Sequence, residues 1–160
     1  MSDTEYDTKY TERHVLLGYL NVMRRAVIQT SEGLTEADLR RPGVASGTNL
    51  LGIIHHLTGV EQHWFQRVFL GEPVVADKSM TVPAELTRDE VVAAYRQMCD
   101  RSDEIVHATL DLGSRAAIPN PGEAQRDSLR VILVHLIEET ARHAGHADIL
   151  REQLDGVTAP

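Results

Sequence analysis

Residues 127–154, DSLRVILVHLIEETARHAGHADILREQL, decide the fold. Leu129, Ile132, Leu136, Thr140, His143, Ala147, Leu150 and Leu154 recur at the spacing of one helix face. Asp127 stands where an N-cap belongs, and Gly156 and Pro160 follow the last apolar residue. A helix of this length has to bury its apolar stripe against other helices. Two side chains do not suit that stripe: His143 in its middle and Glu139 on its flank. They are one helical turn apart, so both can converge on a single point. A carboxylate turned toward a core is costly unless it meets a cation. Spacing alone leaves two partners open, a metal ion or an arginine such as Arg142.

The rest of the chain divides into three more long helices. The first is expected from Thr11 to Thr30, with Val15, Leu16, Tyr19, Leu20, Met23, Ala26 and Val27 inward and Arg24 and Arg25 outward. A short turn at Thr35-Glu-Ala-Asp38 precedes a Pro-Gly stop. Ser46-Gly-Thr-Asn49 offers caps for a second helix running to about Phe69, stopped by Gly71 and Pro73. The capping box Thr87-Arg-Asp-Glu90 opens a third helix that reaches about Leu110. Between them, Glu72–Leu86 and Asp111–Arg126 have no steady period and read as crossover connections, the second carrying the turn signal Pro119-Asn-Pro-Gly122. This pattern predicts an all-α fold: one domain over residues 1–160, a four-helix bundle with long crossovers rather than only tight hairpins.

Composition excludes several function classes. A formal charge of −8 with no basic cluster argues against binding the phosphate backbone of nucleic acids. No apolar run approaches the roughly 20 residues that span a bilayer, and the polar opening MSDTEYDTKYTERH does not look like a secretory signal. The single cysteine, Cys99, allows no internal disulfide and fits a reducing cytoplasm, where a buried structural thiol is its simplest role.

A third candidate ligand comes from the second helix, LLGIIHHLTGVEQHWF over residues 50–65. Leu50, Ile53, Leu57, Val60, Trp64 and Val68 face inward there, and His56 borders that stripe. His55 projects to nearly the opposite side, toward solvent. His63 shares the direction of His56 two turns on, suited to lining the mouth of the same site or capping a carbonyl. Glu61 also falls inward, where it can orient a ligand or pair with an arginine. His56, Glu139 and His143 would form a three-ligand face that leaves a fourth position open, which separates a catalytic metal from a structural one. Two imidazoles and a carboxylate suit a divalent ion, Zn²⁺ first, with Ni²⁺ and Fe²⁺ as alternatives. A di-iron site is set aside because only Glu104-Ile-Val-His107 has the Glu-x-x-His form. Gly-rich phosphate loops and a nucleophile-elbow serine are missing.

At these residues the sequence resembles the DinB-like superfamily, whose members include mycothiol-dependent and related thiol S-transferases. The resemblance spans nearly the whole chain, most visibly SGTNLLGIIHHLTGVEQHWF and EETARHAGHADILRE. The commonest superfamily pattern has a His on helix two and His-x-x-x-His followed by Arg-Gly-Gln on the last helix. Glu139 replaces the first of that last pair, His143 is the second, and Ala144-Gly145-His146 replaces Arg-Gly-Gln. The resulting His-Glu-His set looks like the arrangement in mycothiol-dependent maleylpyruvate isomerase. The resemblance implies metal binding by His56, Glu139 and His143, a low-molecular-weight thiol as co-substrate, a small-molecule acceptor and a homodimer. Thiol transfer is the expected reaction, with Arg115, Arg126 or Arg130 meeting a carboxylate on the acceptor. Two rivals are metal-assisted hydrolysis, with Glu61 or His146 carrying the proton, and a noncatalytic bundle that binds a ligand or partner.

Overall fold

The computed structural model describes residues 11–158. The polar opening segment up to Tyr10 and the terminal Pro160 lie outside the described residues. Each helix starts where a side chain can accept from a free backbone amide. Thr11 caps α1, Glu12–Gln29; Thr35 caps the one-turn α2, Glu36–Leu39; Asn49 caps α3, Leu50–Glu61. α3 continues without a break into a π-helical segment, Gln62–Phe69. Thr87 and Glu90 form the expected capping box of α4, Arg88–Ala108. α5 spans Leu129–Asp155 and ends on Gly156, whose φ of 76° suits glycine alone at low cost. Its cap is Ser128, not Asp127: Ser128 Oγ accepts from Val131 N, while the Asp127 carbonyl accepts from Ala116 N.

Among the described residues there are no strands, only one isolated bridge between Arg115 and Ser128. None of the helices there is long and apolar enough to cross a membrane. The fold is all-α. α1 packs along α5, α5 along α3, and α3 along α4. Two apolar clusters result. One gathers Leu17, Leu20, Phe65, Val106 and Leu129–Leu136 residues; the other gathers Val27, Leu51–Leu57 residues, Tyr95 and Ala147. On α1, α4 and α5 the residues between these clusters are polar yet buried: Arg24, Ser102, Thr140 and His143. A polar layer therefore crosses the middle of the core.

That layer overturns the expected facing of α1. Arg24 is 3% exposed, whereas Val15 and Tyr19 are 41% and 62% exposed. The buried face is Leu17, Leu20, Arg24, Val27 and Ile28, again a helical stripe but turned about one position from the apolar reading. The cause is a buried ion pair. Arg24 donates from Nε and Nη2 to the two oxygens of Glu61, each at 2.7 Å, and from Nη1 to Asp103 at 2.7 Å and Asn21 at 2.8 Å. Glu61 is thereby removed from any role at the histidines. Cys99, beside this pair, is buried, and its thiol is pushed up by burial and then by the Glu61 charge.

The first crossover lies across α3 because two glycines let it. Gly52, His56 and Gly59 share one face of the helix. A Cβ on Gly59 would overlap the Asp77 carbonyl, and one on Gly52 would overlap the Met80 carbonyl. The segment 77–80 therefore presses onto the backbone of α3 directly over His56. His55 is half-buried under the same segment, with Nε2 3.2 Å from Asp77, rather than free in solvent. Asp77 is itself fixed, its carboxyl lowered to about 2 by the Ser79 backbone and hydroxyl donors and then by His55.

Candidate metal centre

His56, Glu139 and His143 stand together. One ligand atom from each lies within 4.8 Å of the other two. Glu139 Oε1 is 3.4 Å from His56 Nε2 and 3.2 Å from His143 Nε2. Atoms bound tetrahedrally to one ion at ~2.0–2.2 Å stand about 3.3–3.6 Å apart; the two Glu139 distances match that spacing, while the set as a whole spans up to 4.8 Å, so the two imidazoles would draw together around a cation.

The protons point the same way. Nδ1 of His56 lies 2.6 Å from the Lys78 carbonyl, which can only accept, so Nδ1 carries the proton. In the neutral ring Nε2 then presents a lone pair to a carboxylate oxygen. Two lone pairs facing at this distance repel unless a positive charge lies with them, either a second proton on the ring, which makes an ion pair, or a cation held by both. The Lys78 carbonyl also does what outer partners of metal-bound histidines do: it fixes the ring's tautomer and direction. Glu139 is oriented likewise, because Arg142 donates to Oε2 at 2.7 Å and leaves Oε1 to the imidazoles. Of the two partners that spacing left open for Glu139, the arginine is present on Oε2, and Oε1 faces the two imidazoles.

Charge states agree with this. Burial alone would raise the Glu139 carboxyl, but His56, His143 and Arg142 outweigh it and hold it below the usual carboxylate range. Burial, then the nearby His56, pushes His143 below the usual imidazole range. A divalent ion requires an ionised carboxylate, which the lowered Glu139 supplies, and the lowered His143 favours the neutral ring it also requires. Nδ1 of His143 is buried with no hydrogen-bond partner among the described groups, so that ring engages the cluster through Nε2 alone.

Beside His56 and Glu139 lies a hollow of about 250 Å³, also lined by Val60, His63, Trp64, Lys78, Asn120 and His135. The π-helical segment supplies adjacent residues, His63 and Trp64, to one wall, a placement that π turns near functional sites often serve. His63 is 5% exposed and lines the mouth as expected, but its Nε2–H donates to the Asn120 side chain at 3.0 Å rather than to a backbone carbonyl. Asn120 donates in turn to Glu123 at 3.0 Å, which sets the orientation of its amide. The second crossover is tied down here as Ala117 N and Ile118 N donate to the carbonyls of Phe69 and Val68 at the π-segment end.

Several expected partners do not reach the hollow. Arg130 pairs with Glu12, Arg115 donates to the Arg126 carbonyl, and Arg126 is exposed. His146 is exposed, its ring 5.4 Å from His143, and does not line the hollow. Glu104 and His107 are likewise on the surface. Sequence reasoning missed Lys78, Asn120, Gly52 and Gly59. The glycines carried a signal, two small residues seven apart on the face of His56, whereas the Lys78 carbonyl had none.

The strap gives a direct test. Gly59→Ala should lift segment 77–80 and draw the Lys78 carbonyl off His56. Loss of such an outer partner weakens metal affinity by about 10–100-fold, while the helix itself gains up to ~1 kcal/mol in propensity. A metal competition titration beside a melting curve should show weakened binding together with a loss of stability despite that gain, because the displaced atoms are backbone. Unchanged affinity would mean that the strap does not orient His56.

No curated protein matches the chain. The family model described as mycothiol-S-transferase matches residues 15–156, from the second turn of α1 to the glycine that closes α5, with all three clustered residues inside it. The chain belongs to the mycothiol-S-transferase family.

Proposed function

We propose that this protein transfers a small thiol, mycothiol or a close relative, to an electrophilic carbon, with His56, Glu139 and His143 holding a divalent cation, Zn²⁺ before Ni²⁺ or Fe²⁺. The carrying observation is the convergence of three donor atoms, from helices far apart in sequence, on one point beside a hollow. A divalent cation there stabilises thiolate over thiol at neutral pH and leaves a position for sulfur. The chain's own residues do the rest. Lys78 and Arg142 hold the ligands in register; the hollow receives the acceptor; Trp64 and Val60 keep part of its wall dry. In the overall transfer the S–H bond breaks and a C–S bond forms. The displaced group leaves with the bonding pair, or a conjugated acceptor takes up the proton on its neighbouring carbon.

Hydrolysis fits less well, because Glu61 is committed to Arg24 and His146 does not line the hollow. The test is conjugation of mycothiol to an activated aryl chloride, followed by absorbance. Metal-dependent conjugation is expected. A metal-loaded protein that conjugates no small thiol to any of a panel of electrophiles contradicts the reading.

A further inference from the structure

The hollow beside the three clustered residues is uneven in charge. One end belongs to the exposed Lys78, which lines the hollow, whose backbone is pinned to α3 through His56 and whose charge, after burial, helps to lower the His63 pKa. Arg67 acts on His63 in the same sense and donates only to the Val74 carbonyl. Among the described residues the Lys78 ammonium pairs with no carboxylate; its neighbour Asp77 is engaged by His55 and Ser79. The other end is acidic. Beyond Trp64, Asn120 and His135 the space continues into a second hollow of about 340 Å³ that includes Glu123 and Asp127. On a chain of net charge −8, an anion is repelled by most of the surface and by that far end, and is drawn to Lys78.

We infer that the Lys78 ammonium docks a carboxylate-bearing acceptor at the edge of the clustered residues, so that the protein takes small anionic electrophiles in preference to uncharged ones of the same shape. Transfer onto that acceptor rests on the function proposed above; the docking does not. One residue then has two separable jobs, since its carbonyl orients His56 and its side chain reads the acceptor. Replacing the side chain leaves the carbonyl in place.

The only tryptophan of the chain, Trp64, lines both hollows and reports on occupancy. Succinate and its uncharged diamide would be titrated into the purified full chain while Trp64 fluorescence is followed. Succinate should bind saturably and at least ~10-fold more tightly than the diamide, and Lys78→Met should remove that advantage while keeping native metal content. Lys78→Glu should favour the diamide. In parallel, mycothiol would be offered 4-chloro-3-nitrobenzoate and 4-chloro-3-nitrobenzamide, in which the new C–S bond replaces C–Cl, chloride leaves with the bonding pair and the thiol proton passes to buffer. Lys78→Met should lower kcat/KM for the benzoate by ~10-fold or more relative to its effect on the benzamide. Succinate affinity unmoved by Lys78→Met overturns the inference. Succinate affinity that depends on Lys78 in a protein that conjugates neither acceptor supports the docking and contradicts the transferase reading.

Discussion

Glu139→Ala protein is expected to be purified without stoichiometric metal, its affinity falling by more than the ~10–100-fold that loss of an outer partner costs. Oε1 of Glu139 is the one anionic atom between the two imidazoles, at 3.4 Å and 3.2 Å from their Nε2 atoms. Without it two neutral rings remain, with centroids 4.8 Å apart, and the Arg142 guanidinium loses one of its carboxylates. A cation would then face a freed positive charge instead of a negative one. Elemental analysis and competition with a chromophoric chelator measure the effect. Glu138→Ala is the control, because Glu138 also pairs with Arg142 but is exposed and outside the cluster. That variant should keep its metal. Native stoichiometry in Glu139→Ala would make the carboxylate a structural partner of Arg142 and no more.

Glu61→Ala should be the most destabilising single substitution among the polar residues. It leaves Arg24 buried with only Asp103 and Asn21 to answer its charge, after deleting two hydrogen bonds of 2.7 Å. Breaking a buried ion pair from one side costs about 3–5 kcal/mol. At roughly 2–4 °C per kcal/mol for a chain of this size, the melting temperature should fall on the order of 10 °C. Replacing both partners, Arg24→Met with Glu61→Met, removes the stranded charge and should recover most of the loss. Metal content should stay native in the double variant, since neither residue touches the histidine cluster. A double variant no more stable than Glu61→Ala would mean that the pair does more than satisfy its own charges.

Helix positions were legible in the sequence because caps and stops are local chemistry. Asn49, the Thr87–Glu90 box and Gly156 act within a turn of themselves, and the helices begin and end beside them. The inward face of α3 was legible for the same reason, as Leu50, Ile53, Leu57, Val60, Trp64 and Val68 are all buried. His56, Glu139 and His143 could be singled out because i, i+4 spacing on one helix and a histidine bordering an apolar stripe on another are both pattern-level facts. What failed depended on pairings between distant segments. Arg24 reads as a surface residue until Glu61 and Asp103 are found around it, and that error turned the whole of α1. The cap at Ser128 rather than Asp127 follows from the Arg115–Ser128 bridge, a long-range contact. Lys78 lines the hollow, where Arg115, Arg126 and Arg130 do not, because two glycines on α3 admit the crossover backbone, and no periodicity in the crossover itself announces that. The π-helical register of Gln62–Phe69 likewise looks like ordinary helix in its apolar spacing.

Addition of Co²⁺ to chelator-treated protein, followed by absorption spectra with and without a small thiol, reads ligand geometry and sulfur coordination together. Intense visible bands of a four-coordinate ion should appear on adding Co²⁺, a sulfur-to-metal charge-transfer band should grow in the near ultraviolet on adding the thiol, and both should vanish in Glu139→Ala. Native protein that gives only the weak spectrum of aqueous Co²⁺, or whose bound-ion spectrum a thiol leaves untouched, would contradict a thiol-activating centre at His56, Glu139 and His143.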